Sequence, residues 1–318
     1  MSNPTLPESQ ASKANAKYRV TNWPEYDRDL VRRGDITVWF EEDFLRQHCR
    51  GQNTGKRGAP LIYWNAAIQV LLILKAVFRL PYRSVEGLAC SLMRLMVLDL
   101  PVPDHTQMSR RATQLPVTIP CKERQEPIHL VVDSTGMKIY REGEWKVRQH
   151  GVGNRRTWRK VYLAVDGHAK DVIGVEVITA DCEVFEELVE QVEGKIEQID
   201  VDGAYDTRHA YEVAAARETR LVMPPRENAV PWENGHPRNA VLEQVAQRVM
   251  AEWKEGSGYH RRNIAENTMY RLKQLFGDNL ASRLVETQIT AVHARVAAMN
   301  VMTYFGMPVS VRVGTILS

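Results

Sequence analysis

The sequence predicts an α/β protein: a mixed five-stranded sheet with helices on its faces, behind a smaller helical domain. Three observations carry this expectation. Residues 61–115 read as helices with few β signals. At Pro127 the texture changes to short apolar, β-branched runs. From there the order is three strands, helix, strand, helix, strand and then helices, which suits a mixed sheet covered on both sides.

Residues 1–58 are polar and irregular, a lead-in of the kind that orders on a partner. The opening MSNPTLPESQASKANAKYRV has no apolar core and is not a secretory signal. NWPEYDRDL and ITVWFEEDFL are expected as short docked helices, and GQNTGKRGAP as a loop. Residues 59–118 are expected to form a helical, DNA-binding domain. There, IYWNAAIQVLLILKAVFRL is a buried helix ending before Pro81, and RSVEGLACSLMRLMVL is a second, with Ser84 as its N-cap. After the turn DLPVPD comes HTQMSRRATQL, for which Asp104 is a good N-cap. Helix, turn and helix in this order resemble a helix-turn-helix. Thr106, Gln107, Ser109, Arg110 and Arg111 offer groups suited to base edges and phosphates. A plain helical hairpin with a solvated basic end fits the same residues.

Farther on, IHLVVDSTGMKIY is a strand, and WRKVYLAVDGHAKDVIGVEVITA is a β-hairpin about Asp166-Gly167. CEVFEELVEQVEG is an amphipathic helix, KIEQIDVDGAYD a strand, TRHAYEVAAARET a helix and RLVMPP the fifth strand. That order matches an RNase H-like fold. Residues 124–306 are therefore expected as an RNase H-like domain with C-terminal helices, and 307–318 as a tail.

A chain of 318 residues has room for both domains. Its net charge of +3 says little, but the distribution of charge says more. Eight Lys/Arg face two Glu between Lys138 and Lys160, whereas Asp181 to Asp200 is strongly acidic with one Lys. A basic stripe that includes Arg155, Arg156, Arg159 and Lys160, set against an acidic back, suits contact with nucleic acid on one side. Solvated faces give the same pattern. Cys49, Cys90, Cys121 and Cys182 lie far apart, against a zinc site and in favour of a reducing cytoplasm. No apolar run approaches a membrane span; AAIQVLLILKAVF is short and broken by Gln69 and Lys75. A cytoplasmic, nucleoid-associated protein is expected.

Three acids stand out. Asp133 follows HLVV on the first strand, and Asp202 ends the fourth. Those strands are neighbours in an RNase H-like sheet, so the two carboxylates meet. Glu266 comes from YHRRNIAENTMYRLKQLFG. If that stretch is helical, steps of three, four and seven residues put Tyr259, Arg262, Glu266 and Lys273 on one face. On spacing alone, solvated i,i+4 pairs explain that face as well. Three hard oxygen donors suit Mg²⁺ or Mn²⁺, and two such ions serve in-line displacement at phosphorus, with Arg262 and Lys273 positioning the strand. Asp200 shares a strand face with Asp202 and is the second choice. Asp166 reads as a turn residue and Asp206 as an N-cap. There is no P-loop, GxGxxG after a strand, HExxH or GxSxG.

With these residues in view, the chain resembles the DDE transposases of bacterial insertion sequences, most closely insertion-sequence family five. The family's Tyr, Arg, Glu and Lys, with gaps of two, three and six residues, match Tyr259, Arg262, Glu266 and Lys273. VVDSTG and DGAYDT resemble its first and second acid motifs. KYRVTNWPEYDRDLVRRGDI, VPDHTQMSRR, EGEWKVRQHG, TWRKVYLAVD, MPPRENA and NVMTYFGMP extend the likeness from about Tyr18 onward.

The resemblance implies a catalytic triad of Asp133, Asp202 and Glu266 that depends on Mg²⁺, with Mn²⁺ able to substitute. It implies that Tyr259, Arg262 and Lys273 contact phosphates of transposon-end DNA. The partners implied are double-stranded DNA (terminal inverted repeats and target) and further copies of the chain, in a dimer or larger synaptic complex. Water would free a 3′-OH at the element's end, and that hydroxyl would then attack the target. A catalytically silent DNA-binding derivative acting as repressor or competitor, and a structure-specific nuclease, are the other readings. Some relatives carry a domain between the second acid and the Glu; the 63 residues present here leave room for a strand, a loop and a helix. Trp232, in that loop, is expected to pack, with stacking on a frayed base as the alternative.

Overall fold

The computed structural model of the chain describes residues 17–39, 65–139, 158–178, 184–226, 228–247 and 250–313. The expected loop GQNTGKRGAP and two expected DNA contacts, Arg155 and Arg156, lie outside the described residues. The described residues begin with β1 (Lys17–Val20) and α1 (Trp23–Arg32), followed by α2 (Asn65–Val77), α3 (Tyr82–Leu95) and α4 (His105–Arg111). Next come β2 (Ile128–Ile139), β3 (Trp158–Asp166), β4 (Val172–Ile178), α5 (Phe185–Glu190) and β5 (Ile196–Asp200). Then follow α6 (Arg208–Ala216), β6 (Arg220–Val222), α7 (Pro237–Gln247), α8 (Met250–Ser257) and α9 (Asn263–Phe276). The last elements are β7 (Asn279–Leu280), α10 (Val285–Phe305) and β8 (Ser310–Val313).

The five strands expected from sequence lie in the order β4-β3-β2-β5-β6. The pairs β2–β3 and β3–β4 are antiparallel, whereas β2–β5 and β5–β6 are parallel. This is the RNase H-like order. A two-residue sixth strand, β7, runs parallel to the end of β2 beside Lys138. Alternation along the strands divides the interior. Val131, Met137, Val161 and Leu163 share one core with α9, α10 and the helices α2–α4. Leu130, Val132, Tyr162 and Ala164 face the other way, onto α5 and α6. Each buried Val, Leu or Met among them contributes about 1.5–3 kcal/mol.

Local capping follows expectation at α4, where Asp104 Oδ1 accepts the Gln107 N–H at 2.8 Å. Two other caps differ. Ser84 lies inside α3, because the Pro81 carbonyl already accepts the N–H groups of Ser84 and Val85 at 3.0 and 3.1 Å. Asp206 is not the N-cap of α6; Thr207 takes that place and accepts the Ala210 N–H. Asp206 is instead buried in a two-pronged ion pair with Arg238, at 2.6 and 2.7 Å.

Lys17–Val20 and Ser310–Val313, too short to read as strands from pattern, pair antiparallel in a separate two-stranded sheet. Beside it, Arg33 donates to the Gly306 carbonyl at 3.2 Å and Arg32 lies over the Phe305 ring. A Cβ on Gly306 would push the Asp29 carboxylate aside. Among the described residues no single helix is long and apolar enough to cross a membrane. Helices α2 and α3 pass that test only as a pair bent by 113°, and Ile68, Leu71, Leu72 and Leu74 of α2 lie in the core.

The Asp206–Arg238 pair is buried on both sides, so losing one partner strands the other's charge. Asp206→Ala is expected to lower unfolding free energy in urea by about 3–5 kcal/mol, with Asp206→Ala/Arg238→Met recovering most of it.

Candidate active site

The site is assembled where β2, β5 and α9 meet. On β2, Asp133 shares the face of Val131 and Met137 and lies opposite Leu163 of β3. Its Oδ1 accepts the Ser134 N–H at 2.9 Å. Asp202 stands two residues past the end of β5, where the chain turns through Gly203–Tyr205. That turn packs tightly: a Cβ on Gly203 would come within 3.0 Å of the Pro224 carbonyl oxygen. The Arg226 guanidinium clamps it, donating to the carbonyls of Gly203 and Ala204 at 3.2 and 2.9 Å. Glu266 lies in the first turn of α9, whose Ala265, Met269 and Leu272 are buried against the sheet.

The three carboxylates converge on one guanidinium. Arg262 places Nη2 3.4 Å from Asp133 Oδ1 and 3.3 Å from Asp202 Oδ2, and Nη1 3.2 Å from Glu266 Oε1. Burial pulls the Arg262 pKa down, but Tyr259 and the three acids together leave it raised, so the guanidinium stays charged.

Arg262 is not on α9 itself. Tyr259–Arg262 form a 3₁₀ turn, entered through Gly258 at φ +78°, and the helix starts at Asn263. The single helical face expected from the spacing is thus a turn followed by a helix. Its break allows the Tyr259 ring to pack against Trp253 at 5.8 Å. Burial, ahead of the nearby charges, pushes the Tyr259 phenol up to about 12.

Arg261, next in the same turn, points the other way, approaching His129 Nδ1 at 3.1 Å and His168 Nε2 at 3.4 Å. Since a guanidinium only donates, His129 Nδ1 accepts and its proton sits on Nε2, 2.8 Å from Asp200 Oδ2. Gln198 Nε2 donates to the other Asp200 oxygen at 2.7 Å. Asp200, the second choice from sequence, is therefore fully buried, with both carboxylate oxygens taken by His129 and Gln198.

Lys273 lies seven residues beyond Glu266 on α9, about 10 Å along the axis, and is half-buried. On α4, Thr106 and Arg110 are exposed, Gln107 and Ser109 are half-buried, and Arg111 bonds to Asn65. That helix packs on α2 and α3, and Thr290 of α10 donates to the Ala112 carbonyl at its C-terminus. Arg159 donates to Gln288 Oε1 at 2.7 Å, and the Lys160 ammonium lies 5.2 Å over the Tyr162 ring. The structure thus gathers Asp133, Asp202, Glu266 and Arg262 at one point, with Tyr259 next to Arg262, and distributes the other expected contacts it describes elsewhere. Trp232 is packed: Arg208 and Arg238 lie over its ring, and Tyr211 and His236 meet it edge-on.

Pattern reading missed Tyr205, three residues after Asp202. Its phenol is raised far above the usual range, first by burial and then by Tyr162, Asp133 and Asp202, so it remains a protonated donor. Its hydroxyl and the Nε of Arg262 are both buried without a hydrogen-bond partner among the described residues.

The donor set suits a hard divalent cation: three carboxylates from separate elements meet at a point already held by a positive group, whose Nε is itself buried without a partner among the described residues. Among the described residues no three ligating side chains stand close enough to hold an ion as they are.

On this RNase H-like sheet the three carboxylates come from the middle of β2, the residue two past the end of β5 and the first turn of α9, and carboxylates so gathered suit metal-dependent phosphoryl transfer. Two family models, both described as Transposase DDE domain, match residues 31–142 and 124–301. The chain belongs to the DDE transposase family, whose members are metal-dependent enzymes of DNA transposition. Among solved structures, a piggyBac transposase synaptic complex with hairpin DNA is similar over 91% of this chain and 78% of that one, at 10% identity and a TM-score of 0.38.

Two expectations follow. Asp200→Ala, which leaves His129 and Gln198 unpaired in the interior, should cost about 2–4 kcal/mol in urea denaturation, while Asp202→Ala should stay within roughly 0.5 kcal/mol of wild type. Arg262→Ala, which leaves three carboxylates facing one another, should melt lower than wild type in EDTA, and added Mg²⁺ should raise its Tm by more than it raises the wild type's.

Proposed function

We propose that this chain is a transposase of the insertion-sequence family five type, which binds the terminal inverted repeats of its element, cuts at the ends and joins the freed 3′-OH to target DNA. The observation that carries this reading is the convergence of Asp133, Asp202 and Glu266 on Arg262 over the central strands of an RNase H-like sheet. A protein that only binds DNA gains nothing from three carboxylates aimed at phosphate, which disfavours the repressor reading.

In this proposal Asp133, Asp202 and Glu266 hold Mg²⁺, or Mn²⁺ in its place. A pair of such ions, once bound, supplies activation of the attacking oxygen and stabilisation of the leaving one. Arg262 exchanges its carboxylate partners for a DNA phosphate, a change of partner that keeps its charge paired throughout. Lys273, two turns farther along α9, holds a neighbouring phosphate, with Tyr259 supporting the turn that presents Arg262. Residues 59–118 read the DNA end through Thr106, Gln107, Ser109, Arg110 and Arg111, and Arg155, Arg156, Arg159 and Lys160 extend the contact. The catalytic region is 124–306, and two or more copies bring two ends together on the nucleoid.

The test uses a labelled duplex bearing the terminal repeats read from DNA flanking the gene. Wild-type protein should cut it in Mg²⁺. Asp133→Ala, Asp202→Ala and Glu266→Ala should each bind it and fail to cut; cutting by any of them removes that residue from the triad. Arg262→Ala and Lys273→Ala should weaken end binding and each lower the slope of log affinity against log salt by about 1. Binding without cutting in both Mg²⁺ and Mn²⁺ by the wild type would favour the silent derivative.

A further inference from the structure

Two neighbouring arginines leave one short turn in different directions. Successive residues of a 3₁₀ turn point about 120° apart, so Arg261 and Arg262 cannot face the same partner. Arg262 meets the three acids. Arg261 brings Nη1 to 3.1 Å from His129 Nδ1 and 3.4 Å from His168 Nε2. A guanidinium only donates, so both ring nitrogens present lone pairs to it. By alternation His129, Val131 and Asp133 share one face of β2, with His129 about 13 Å from Asp133 along the strand. The adjacent arginines thus grip one strand face at two points.

The two grips differ in firmness. His129 is buried, and its Nε2–H donates to Asp200 Oδ2 at 2.8 Å. Gln198 Nε2 donates to Asp200 Oδ1 at 2.7 Å and reaches the Ser257 carbonyl, just ahead of the turn, at 3.4 Å. The Gly167 N–H donates to the His129 carbonyl at 2.7 Å, and the Arg261 N–H to the Gly258 carbonyl at 3.1 Å. Arg262, by contrast, lies 3.2–3.4 Å from acids that are partly open to solvent, beyond the distance of a good hydrogen bond. Contacts that long do not fix a side chain by themselves. The buried grip next door does.

We propose that Arg261 is a positioning residue of this centre: seated on the rings of His129 and His168, it fixes the turn whose next residue, Arg262, faces the acids. For the DNA phosphate that Arg262 then takes, this rests on the transposase reading above. Arg261 itself touches no DNA.

A double-mutant cycle on the full chain tests this. Arg261→Met keeps the apolar stem and removes the donors. In single-turnover cleavage of the terminal-repeat duplex with Mg²⁺, at saturating protein, its rate should fall about 100-fold, the order of loss when a group is displaced by about 1 Å. A rate within twofold of wild type overturns the proposal. Binding of the same duplex over a salt series separates positioning from contact. In the Arg262→Ala background, Arg261→Met should change neither affinity nor salt slope. A further fall in slope of about 1 makes Arg261 a phosphate contact in its own right and overturns the proposal.

Two measurements need no DNA. The Tm of Arg261→Met should lie within about 6 °C of wild type, since His129 Nδ1 alone loses a partner in the interior. A larger fall, or failure to fold, makes Arg261 a general support of the fold and overturns the proposal. Added Mg²⁺ should raise the Tm of Arg261→Met by more than it raises the wild type's, because a loosened Arg262 leaves the acids short of their counter-charge. An equal rise overturns the proposal. Wild type that neither binds nor cuts the duplex sinks the transposase reading, and the magnesium comparison then decides for Arg261.

Discussion

Three negative charges gathered at one point repel, and the design of the site answers that repulsion. Two unit charges 4 Å apart interact by about 4 kcal/mol at the effective dielectric near a protein surface. Arg262 supplies the counter-charge and touches all three acids. The arginine is in turn held by a short turn whose anchors lie on either side of it. Gly258 at positive φ admits the turn, Tyr259 is buried against Trp253, and Arg261 hooks onto His129 and His168. Behind His129 stand Asp200 and Gln198, closed off from solvent. One set of polar groups is thus kept dry behind the turn, while the acids on its other side are partly open to solvent.

Much of this was legible from residue order alone. The apolar alternation that leads up to Asp133, the strand that ends just before Asp202, and the amphipathic pattern around Glu266 are local signals, and they survive into the fold. What pattern could not supply depends on partners distant in sequence. Asp206 sits where a local rule makes it a cap, yet Arg238, 32 residues on, claims it as a buried ion pair. Asp200 looks as eligible as Asp202 by alternation until His129, 71 residues earlier, turns out to hold it. Tyr205 looks like an ordinary residue of the second acid motif; only its burial shows that its hydroxyl lacks a partner.

The helices before the sheet do not stand apart from it. Ile68, Leu74 and Met108 belong to the same core as Leu272 and Val292. Arg79, in the turn between α2 and α3, donates to the carbonyls of Gln274 and Leu275 at 2.8–3.1 Å, capping the C-terminus of the helix that carries Glu266. Arg295 of α10 caps the same end, through Gly277 and Asn279. Packed side chains and hydrogen bonds to shared carbonyls thus tie α2 and α3 directly to α9.

The ribbon of β1 and β8 joins Lys17 to Val313, residues nearly the whole chain apart. A two-stranded ribbon is marginal by itself. The entropy of closing so long a loop is unfavourable until the sheet and its helices have already brought the ends together. The ribbon is therefore the last piece to form on folding and the first to fray on warming. Its amide protons should exchange with solvent long before those of β2, and an intact ribbon is the signature of a molecule whose interior is already complete.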